Sequence, residues 1–443
     1  MTGEDVLELH VHGGTAIVTA VLAAIGECGK SLGSGKGEIR FAEPGEFTRR
    51  AFMNDRLDLT QVEALGDVLE ASTEQQRKRS VRGTGKEVAR RYESWRKQLL
   101  YARGELEALI DFSEDQHFDE SPAQLCESVA KQVRELLARL QIHRENAVKG
   151  ELLRNGITVS LLGAPNAGKS SLLNRIVGRE AAIVSTEAGT TRDVVEVGVD
   201  LGGYLCRFGD TAGLRKNDNG VGQVEIEGMR RARERVGGSD VVVLMFSFEK
   251  DEGLKVDEEV LMTAIDLVEA GRSVVVAINK ADNASNEQIQ SAKAQLSALL
   301  PGSTADDTHA ISCTLASTSD SRQSATNRDP GGIQALLQTL ISRFRSLTSS
   351  SDPEAADSLG ATERHRLLLG RCIDALQDFL AVVGSSADEM SLDPGDDGEP
   401  DMVLAAEHLR SAAECLAKIT GRGEQGDVEE VLGVVFEKFC VGK

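Results

Sequence analysis

The spacing of apolar residues changes along the chain, and each change marks an expected boundary. Residues 1–47 read as a strand over Val6–Val11, then Gly13-Gly14, an apolar helix from Ala16 to Ile25, a Gly/Ser loop over 29–37 and a short strand from Glu38 to Phe41. That is a piece of an α/β or α+β unit, too small to hold a good core alone. From about residue 48 to 151 the period turns helical. Leu125, Val129, Val133, Leu136 and Leu140 step along one helix face, and Trp95, Leu99, Leu106, Leu109 and Ile110 predict a second long helix. Between 152 and 347 short β-rich runs alternate with helical stretches. Ile157–Leu162, Tyr204–Phe208, Val241–Phe246 and Val274–Ile278 are the clearest strands, and the last two are almost wholly apolar, as parallel strands buried on both faces are. From 348 to 443 the helical period returns, with one stripe through Leu369, Ile373, Leu376 and Leu380 and another through Val428, Leu432, Val435 and Phe439. The economical arrangement is a helical domain in two parts (48–151 and 348–443) interrupted by an inserted α/β domain (152–347). Two polar stretches, Leu315–Gly332 and Ser385–Asp401, are expected to be disordered.

Composition narrows the picture. The 443 residues suffice for two or three domains, and 40% hydrophobic with 27% charged residues is ordinary for a soluble globular protein. No apolar run approaches the roughly 20 residues that span a bilayer, so no membrane partner is expected. The seven cysteines form no C-x-x-C pair, which points to neither a zinc site nor a disulfide framework and fits a reducing compartment. A net charge of −21 argues against a protein that coats nucleic acid through a general positive field. A local basic cluster at Arg77, Lys78, Arg79 and Arg82 remains, with a solvated helix face as its favoured reading. Met1-Thr2-Gly3 runs straight into the strand-like segment, so the natural start is expected further upstream.

The chemistry concentrates in the α/β region. Gly163-Ala164-Pro165-Asn166-Ala167-Gly168-Lys169-Ser170 matches G-x-x-x-x-G-K-[ST] between a β-rich run and an apolar helical segment beginning at Ser171. Its glycines let backbone N–H groups wrap phosphates at a helix N-terminus; Lys169 would reach the β- and γ-phosphates and Ser170 would ligate magnesium. Asp210-Thr211-Ala212-Gly213 follows a strand, with Asp210 suited to hold magnesium through water and the Gly213 N–H suited to sense the γ-phosphate. Asn279-Lys280-Ala281-Asp282 supplies base choice. The Asp282 carboxylate can accept from the N1–H and exocyclic amine of guanine, whereas adenine would leave it unpaired. Ser312-Cys313 can add a backbone N–H to the guanine carbonyl. Gly189-Thr190-Thr191-Arg192-Asp193 lies where a first switch belongs, with Thr191 as the second protein ligand of magnesium or, alternatively, part of a Gly/Thr turn. Together these imply GTP binding with magnesium, and hydrolysis. The expected fold class is an α/β P-loop GTPase domain, doubly wound with a mostly parallel sheet, inserted in an all-α helical domain and preceded by a partial α+β N-terminal domain. Ras-type GTPases carry a water-orienting Gln directly after D-x-x-G; here the position is Leu214, so another group must position the water.

Beyond the nucleotide motifs, the chain resembles the tRNA-modification GTPase MnmE (TrmE) family, closest to its mitochondrial homologues. The residues that carry the resemblance are Gly3-Glu4-Asp5-Val6-Leu7-Glu8-Leu9, His12-Gly13-Gly14, Pro44-Gly45-Glu46-Phe47, Arg50-Ala51-Phe52, Asn54-Asp55-Arg56-Leu57-Asp58-Leu59 and Phe439-Cys440-Val441-Gly442-Lys443. The resemblance implies a MnmG/GidA-like flavoprotein partner and an aminomethyl- or taurinomethyl-type modification of the wobble uridine of tRNA. It also implies a homodimer, a mitochondrial location (or, alternatively, a bacterial cytoplasm) and a formyltetrahydrofolate-type carrier at the N-terminal domain. By the same resemblance Asn166 is a potassium ligand and Glu225, in Val224-Glu225-Ile226-Glu227-Gly228, orients the attacking water. Glu8, Arg56 and Lys443 match folate-contacting positions, Arg56 standing where Lys is usual, and part of the family's N-terminal domain has no counterpart in residues 1–47. Cys440 matches a cysteine linked to the modification; a small apolar packing role is its alternative. A competing function is a GTP-switched ribosome or RNA assembly factor of the Era type, with no modifying activity.

Overall fold

A computed structural model describes residues 2–31, 39–112, 122–180, 182–187, 196–209, 237–250, 253–300, 307–318, 329, 331–349, 359–388 and 401–422. The helices before the sheet are α1 (Thr15–Ser31), α2 (Glu46–Met53), α3 (Leu59–Glu70), α4 (Glu74–Gly83), α5 (Glu87–Phe112) and α6 (Pro122–Asn155). Then come β1 (Ile157–Gly163), α7 (Lys169–Arg175), β2 (Ala182–Glu187), β3 (Glu196–Leu201), β4 (Tyr204–Phe208), β5 (Val241–Glu249) and β6 (Gly253–Lys255). They are followed by α8 (Glu258–Glu269), β7 (Ser273–Asn279), α9 (Asn286–Leu299), β8 (Thr308–Ala310), α10 (Cys313–Thr318) and α11 (Ile333–Thr348), and last by α12 (Glu363–Asp388) and α13 (Met402–Thr420). Contacts divide the chain into two compact units. One comprises Met1–Glu70, Ser80–Val148 and Asp357–Lys443; the other comprises Ala71–Arg79 and Lys149–Ala356.

In the second unit the strands form one sheet in the order β2-β3-β4-β1-β5-β7-β8, with β6 paired to β5. β4, β1, β5, β7 and β8 run parallel, and the pairs β2–β3, β3–β4 and β5–β6 are antiparallel. The all-apolar start of β5 has its cause here: Val241, Val243 and Met245 face one core with Ile333, Leu336 and Phe344, while Val242, Leu244 and Phe246 face another with Val260, Ala264 and Leu296. A strand covered on both faces has no polar side to show. The sheet is therefore doubly wound, and the α/β P-loop class expected from sequence holds. Local signals close the helices as well. Asp257 accepts the N–H groups of Glu259 and Val260 at the start of α8, and Ser285 with Gln288 forms a capping box on α9.

In the first unit α5, α6, α12 and α13 bury their apolar stripes against one another, with Tyr92, Leu99, Val129, Leu140, Leu376, Phe379, Leu409 and Leu416 in one core. The spacing through Val129, Val133, Leu136 and Leu140 is the buried side of α6. The stripe from Val428 to Phe439 lies outside the described residues.

Several expectations differ from the structure. Residues 5–14 and 39–43 form no strand; Leu7 is 85% and Phe41 72% exposed. Alternating apolar residues make a strand only beside a partner, and among the described residues none pairs with them. The apolar helix expected there does form, as α1. The two stretches expected to be disordered begin as helix: Leu315–Thr318 ends α10 and Ser385–Asp388 ends α12. In the basic cluster Arg77, Lys78 and Arg82 are exposed, as a solvated helix face requires, with Arg77 and Lys78 pairing with Glu74 at 2.8 Å and 3.5 Å; only Arg79 departs from it, being buried. Among the described residues no helix is long and apolar enough to cross a membrane.

Candidate nucleotide site

The strand order reverses at β1, and in open parallel sheets ligands settle at that switch point, beyond the carboxyl ends of the strands. From β1 the chain turns through residues 164–168 into α7, forming the loop that the sequence pattern predicts. Two left-handed residues make the turn: Asn166 at φ 63° and Gly168 at φ 99°. Asn tolerates that conformation; Gly168 has a second reason to be glycine, because a Cβ there would fall on the side-chain amide of Asn279. Gly163 is constrained too, since a Cβ would strike the Met245 carbonyl of the neighbouring strand. The Lys169 ammonium donates to the carbonyls of Gly163 at 2.7 Å and Ala164 at 2.9 Å, folding back over the loop. Ala167 is buried, Ser170 is half-buried at the first turn of α7, and Ser171 is exposed.

β7 delivers the second group. Its last residue, buried Asn279, donates its side-chain N–H to the Ala167 carbonyl at 2.9 Å, joining the base-reading segment to the phosphate loop. The Asn279 side-chain amide oxygen is buried with no hydrogen-bond partner among the described residues. A buried acceptor left open is costly, and a ligand donor would satisfy it. Lys280 takes the left-handed conformation at φ 57° and reaches Glu249, at the end of β5, at 2.7 Å. That contact holds the Glu249 carboxyl below its ordinary range. Asp282 accepts from the Ser312 hydroxyl at 2.6 Å, and that same hydroxyl oxygen accepts the Leu315 N–H. The Ser312 N–H itself donates to the Gly331 carbonyl at 2.9 Å. Cys313 follows; burial pushes its thiol up to about 11, Arg175 pulling the other way and Asp282 adding to the rise. It is a neutral thiol near pH 7, so a role for Cys313 lies in its backbone.

The structure therefore brings together Asn166, Ala167, Gly168, Lys169 and Ser170 with Asn279, and joins Asp282 to Ser312. Among the described residues no group of three or more His, Cys, Asp or Glu side chains could hold a metal. Thr190, Thr191, Asp210, Thr211, Ala212, Gly213, Leu214, Glu225, Cys440 and Lys443 lie outside the described residues. Glu8 and Arg56 are both exposed, with no contact between them; Glu8 has His10 at 3.8 Å. Sequence reasoning missed Glu249. The available signal was an acid ending an apolar strand next to the strand that ends in Asn279.

Gly168→Ala is expected to abolish measurable GTP binding in a fluorescent-nucleotide titration while the stability read from thermal melts falls by only about 1–3 kcal/mol, the scale of a strained left-handed residue. Unchanged affinity would mean that the loop tolerates the displaced Asn279 amide.

Comparison with known proteins agrees with the geometry. The family model for the MnmE helical domain matches residues 59–440, and that for the GTP-binding protein TrmE N-terminus matches residues 1–56. The tRNA modification GTPase MnmE of Paramagnetospirillum magneticum is 38% identical over 442 residues, covering 100% of this chain and 84% of that protein. The mitochondrial 5-taurinomethyluridine-[tRNA] synthase subunit GTPB3 of Rattus norvegicus is 37% identical over 448 residues, covering 100% of this chain and 79% of that protein. The mitochondrial tRNA modification GTPase MSS1 of Saccharomyces cerevisiae is 32% identical over 443 residues, covering 100% of this chain and 77% of that protein. With phosphate loop, base-reading strand and helical unit all in their matched segments, the chain belongs to the MnmE (TrmE) family of tRNA modification GTPases.

Proposed function

We propose that the chain hydrolyses GTP to drive modification of the wobble uridine of tRNA, an aminomethyl or taurinomethyl type, together with a MnmG/GidA-like flavoprotein. The observation that carries this reading is similarity along the whole chain to proteins named as tRNA modification GTPases, one of them a taurinomethyluridine synthase subunit. The subunit name supports a partner, and the mitochondrial relatives support a mitochondrial location. In this reading residues 152–347 are the GTPase domain, 48–151 and 348–443 the two parts of the helical domain, and 1–47 part of a folate-binding and dimerisation domain.

The residues divide the work. Backbone N–H groups of 166–171 bind the phosphates, and Lys169 leaves the loop carbonyls for the β- and γ-phosphates. Asp282, held by Ser312, reads guanine, and Asn279 keeps that reading in register with the phosphate loop. Thr190, Thr191, Asp210, Thr211, Ala212 and Gly213 complete the γ-phosphate side. Ser170 and Thr191 would hold magnesium, and Asn166 would hold potassium; both cations supply positive charge against the phosphates. Glu225 orients the attacking water in place of the Gln that Leu214 replaces. Glu8, Arg56 and Lys443 face a formyltetrahydrofolate-type carrier, and Cys440 serves the modification.

Mass spectrometry of wobble uridines from cells lacking the protein is the direct test. Loss of the modified nucleoside, not restored by Glu225→Ala, is expected; unchanged modification would favour an assembly factor of the Era type. In vitro, potassium is expected to stimulate turnover of the wild-type chain, and equal rates in sodium would remove the role given to Asn166.

A further inference from the structure

We propose that the helical unit carries a docking cleft for the RNA phosphate backbone, floored by one face of α5. The inference rests on the tRNA reading above and names where the substrate's backbone is held. A cleft of about 630 Å³ opens among residues of α5, the segment 52–61 and the end of α13. Its charge is opposite to that of the chain as a whole, whose net is −21. Four cations line it besides Arg56, which the reading above gives to the folate-type carrier: Lys86, Arg90, Lys97 and Arg422, all on exposed residues.

Most of the carboxylates in the lining are already committed. Asp58 caps α3, accepting from the Thr60 hydroxyl and the Gln61 N–H. Glu93 is engaged through one oxygen by Arg96 at 3.1 Å and Arg422 at 3.0 Å, its other oxygen being buried. Asp55 alone remains to set against Lys86, Arg90 and Lys97, none of which has a carboxylate within 4.0 Å among the described residues. Three cations along one concavity repel each other, and an arrangement of that kind is relieved by a bound polyanion.

The spacing favours a strand of phosphates over a single anion. Lys86, whose carbonyl accepts the Arg90 N–H, begins the row; Arg90 and Lys97 continue it at four and then seven residues, on one side of the helix. At about 1.5 Å per residue the row runs for roughly 16 Å, too long for one phosphate group and suited to several in series. Along α5 the lining between the cations is Ala89, Glu93 and Ser94, while Phe52 and Leu57 line the cleft from the segment 52–61. Contacts from the cationic row position a nucleic acid without reading its sequence.

The test is tRNA binding to the full chain by filter binding over a range of salt, comparing wild type with Arg90→Glu/Lys97→Glu and Arg90→Lys/Lys97→Arg. The charge reversal is expected to weaken tRNA binding at least tenfold and to lower the slope of log K against log salt by about 1–2, the value for one or two lost phosphate contacts. The conservative pair should keep the wild-type slope. GTP turnover without tRNA and the thermal melt should be unchanged in both. Wild-type affinity and slope in the charge-reversed chain overturn the inference and leave the tRNA reading standing; no tRNA binding by the wild type overturns both. Inorganic tripolyphosphate is the second probe. A variant that loses tripolyphosphate yet binds tRNA normally overturns the RNA assignment in favour of a small polyanion.

Discussion

Asp282→Asn is expected to lower GTP affinity by roughly a hundredfold to ten-thousandfold while leaving the fold intact. The carboxylate is fixed by the Ser312 hydroxyl, whose oxygen is itself fixed by the Leu315 N–H, so its free lone pairs are pre-aimed. Two hydrogen bonds from guanine to a charged acceptor are worth about 1.5–3 kcal/mol each, which gives that range. The amide variant loses the charge and can present an N–H₂ to a base edge that also donates. Xanthine carries a carbonyl where guanine carries the amine, so the same variant should gain affinity for XTP relative to GTP. Titrations with GTP, XTP and ATP check both signs. A variant that binds GTP as the wild type does would show that Asp282 faces something other than the base.

Glu63→Ala is expected to destabilise the helical unit by about 3–5 kcal/mol, because removing one member of a buried ion cluster leaves the others without a counter-charge. Glu63 on α3 lies 2.6 Å from Arg364 and 2.9 Å from His365, all three largely buried. Arg364 also donates to the Lys418 and Ile419 carbonyls at the end of α13, so a single guanidinium joins three helices. Burial alone would push the Glu63 carboxyl upward, but His365 and Arg364 outweigh it and hold it at about 2, below the ordinary 4.5. The sign follows from linkage: a carboxylate depressed in the folded state contributes stability that is fully present above pH 4.5 and is lost as pH falls toward about 2. Thermal melts of the wild type should fall across that window, and melts of Glu63→Gln should fall less. Parallel curves for the two proteins would show that other carboxylates govern the acid limb. GTP affinity measured at neutral pH separates this local loss from damage to the nucleotide unit, since a chain of two units need not unfold in one step.

What could be read ahead of the structure depended on how local the cause was. β5 and β7 announced themselves because burial on both faces writes an unbroken apolar run. α5, α6 and α12 did so through their stripes. β3 was missed, although Val197, Val199 and Leu201 alternate, because six residues with a glycine give little period to count. The reverse error occurred at Val6–Val11, where alternation is present and, among the described residues, a pairing neighbour is not. The phosphate loop, Asn279-Lys280-Ala281-Asp282 and Ser312 were legible because each is contiguous in sequence and ends a strand. The bond from Asn279 to Ala167 and the ion pair of Lys280 with Glu249 were hidden, since they join residues brought together only by sheet order. The same applies to charge. The run at Arg77–Arg79 is conspicuous in sequence and mostly makes exposed pairs with Glu74 on a solvated face, whereas the cations of the α5 cleft come from positions 56 to 422 and read as unrelated.

The Asn279 amide bears on any attempt to redesign this protein for another nucleotide. It is at once the last residue of the base-reading strand and the brace of the phosphate loop, and Gly168 has no room to spare against it. Selectivity and grip are therefore not separate dials. A library that varies the base-reading segment for a new purine must hold position 279 constant, or its members will be scored as poor binders for a reason unrelated to the base they were meant to accept.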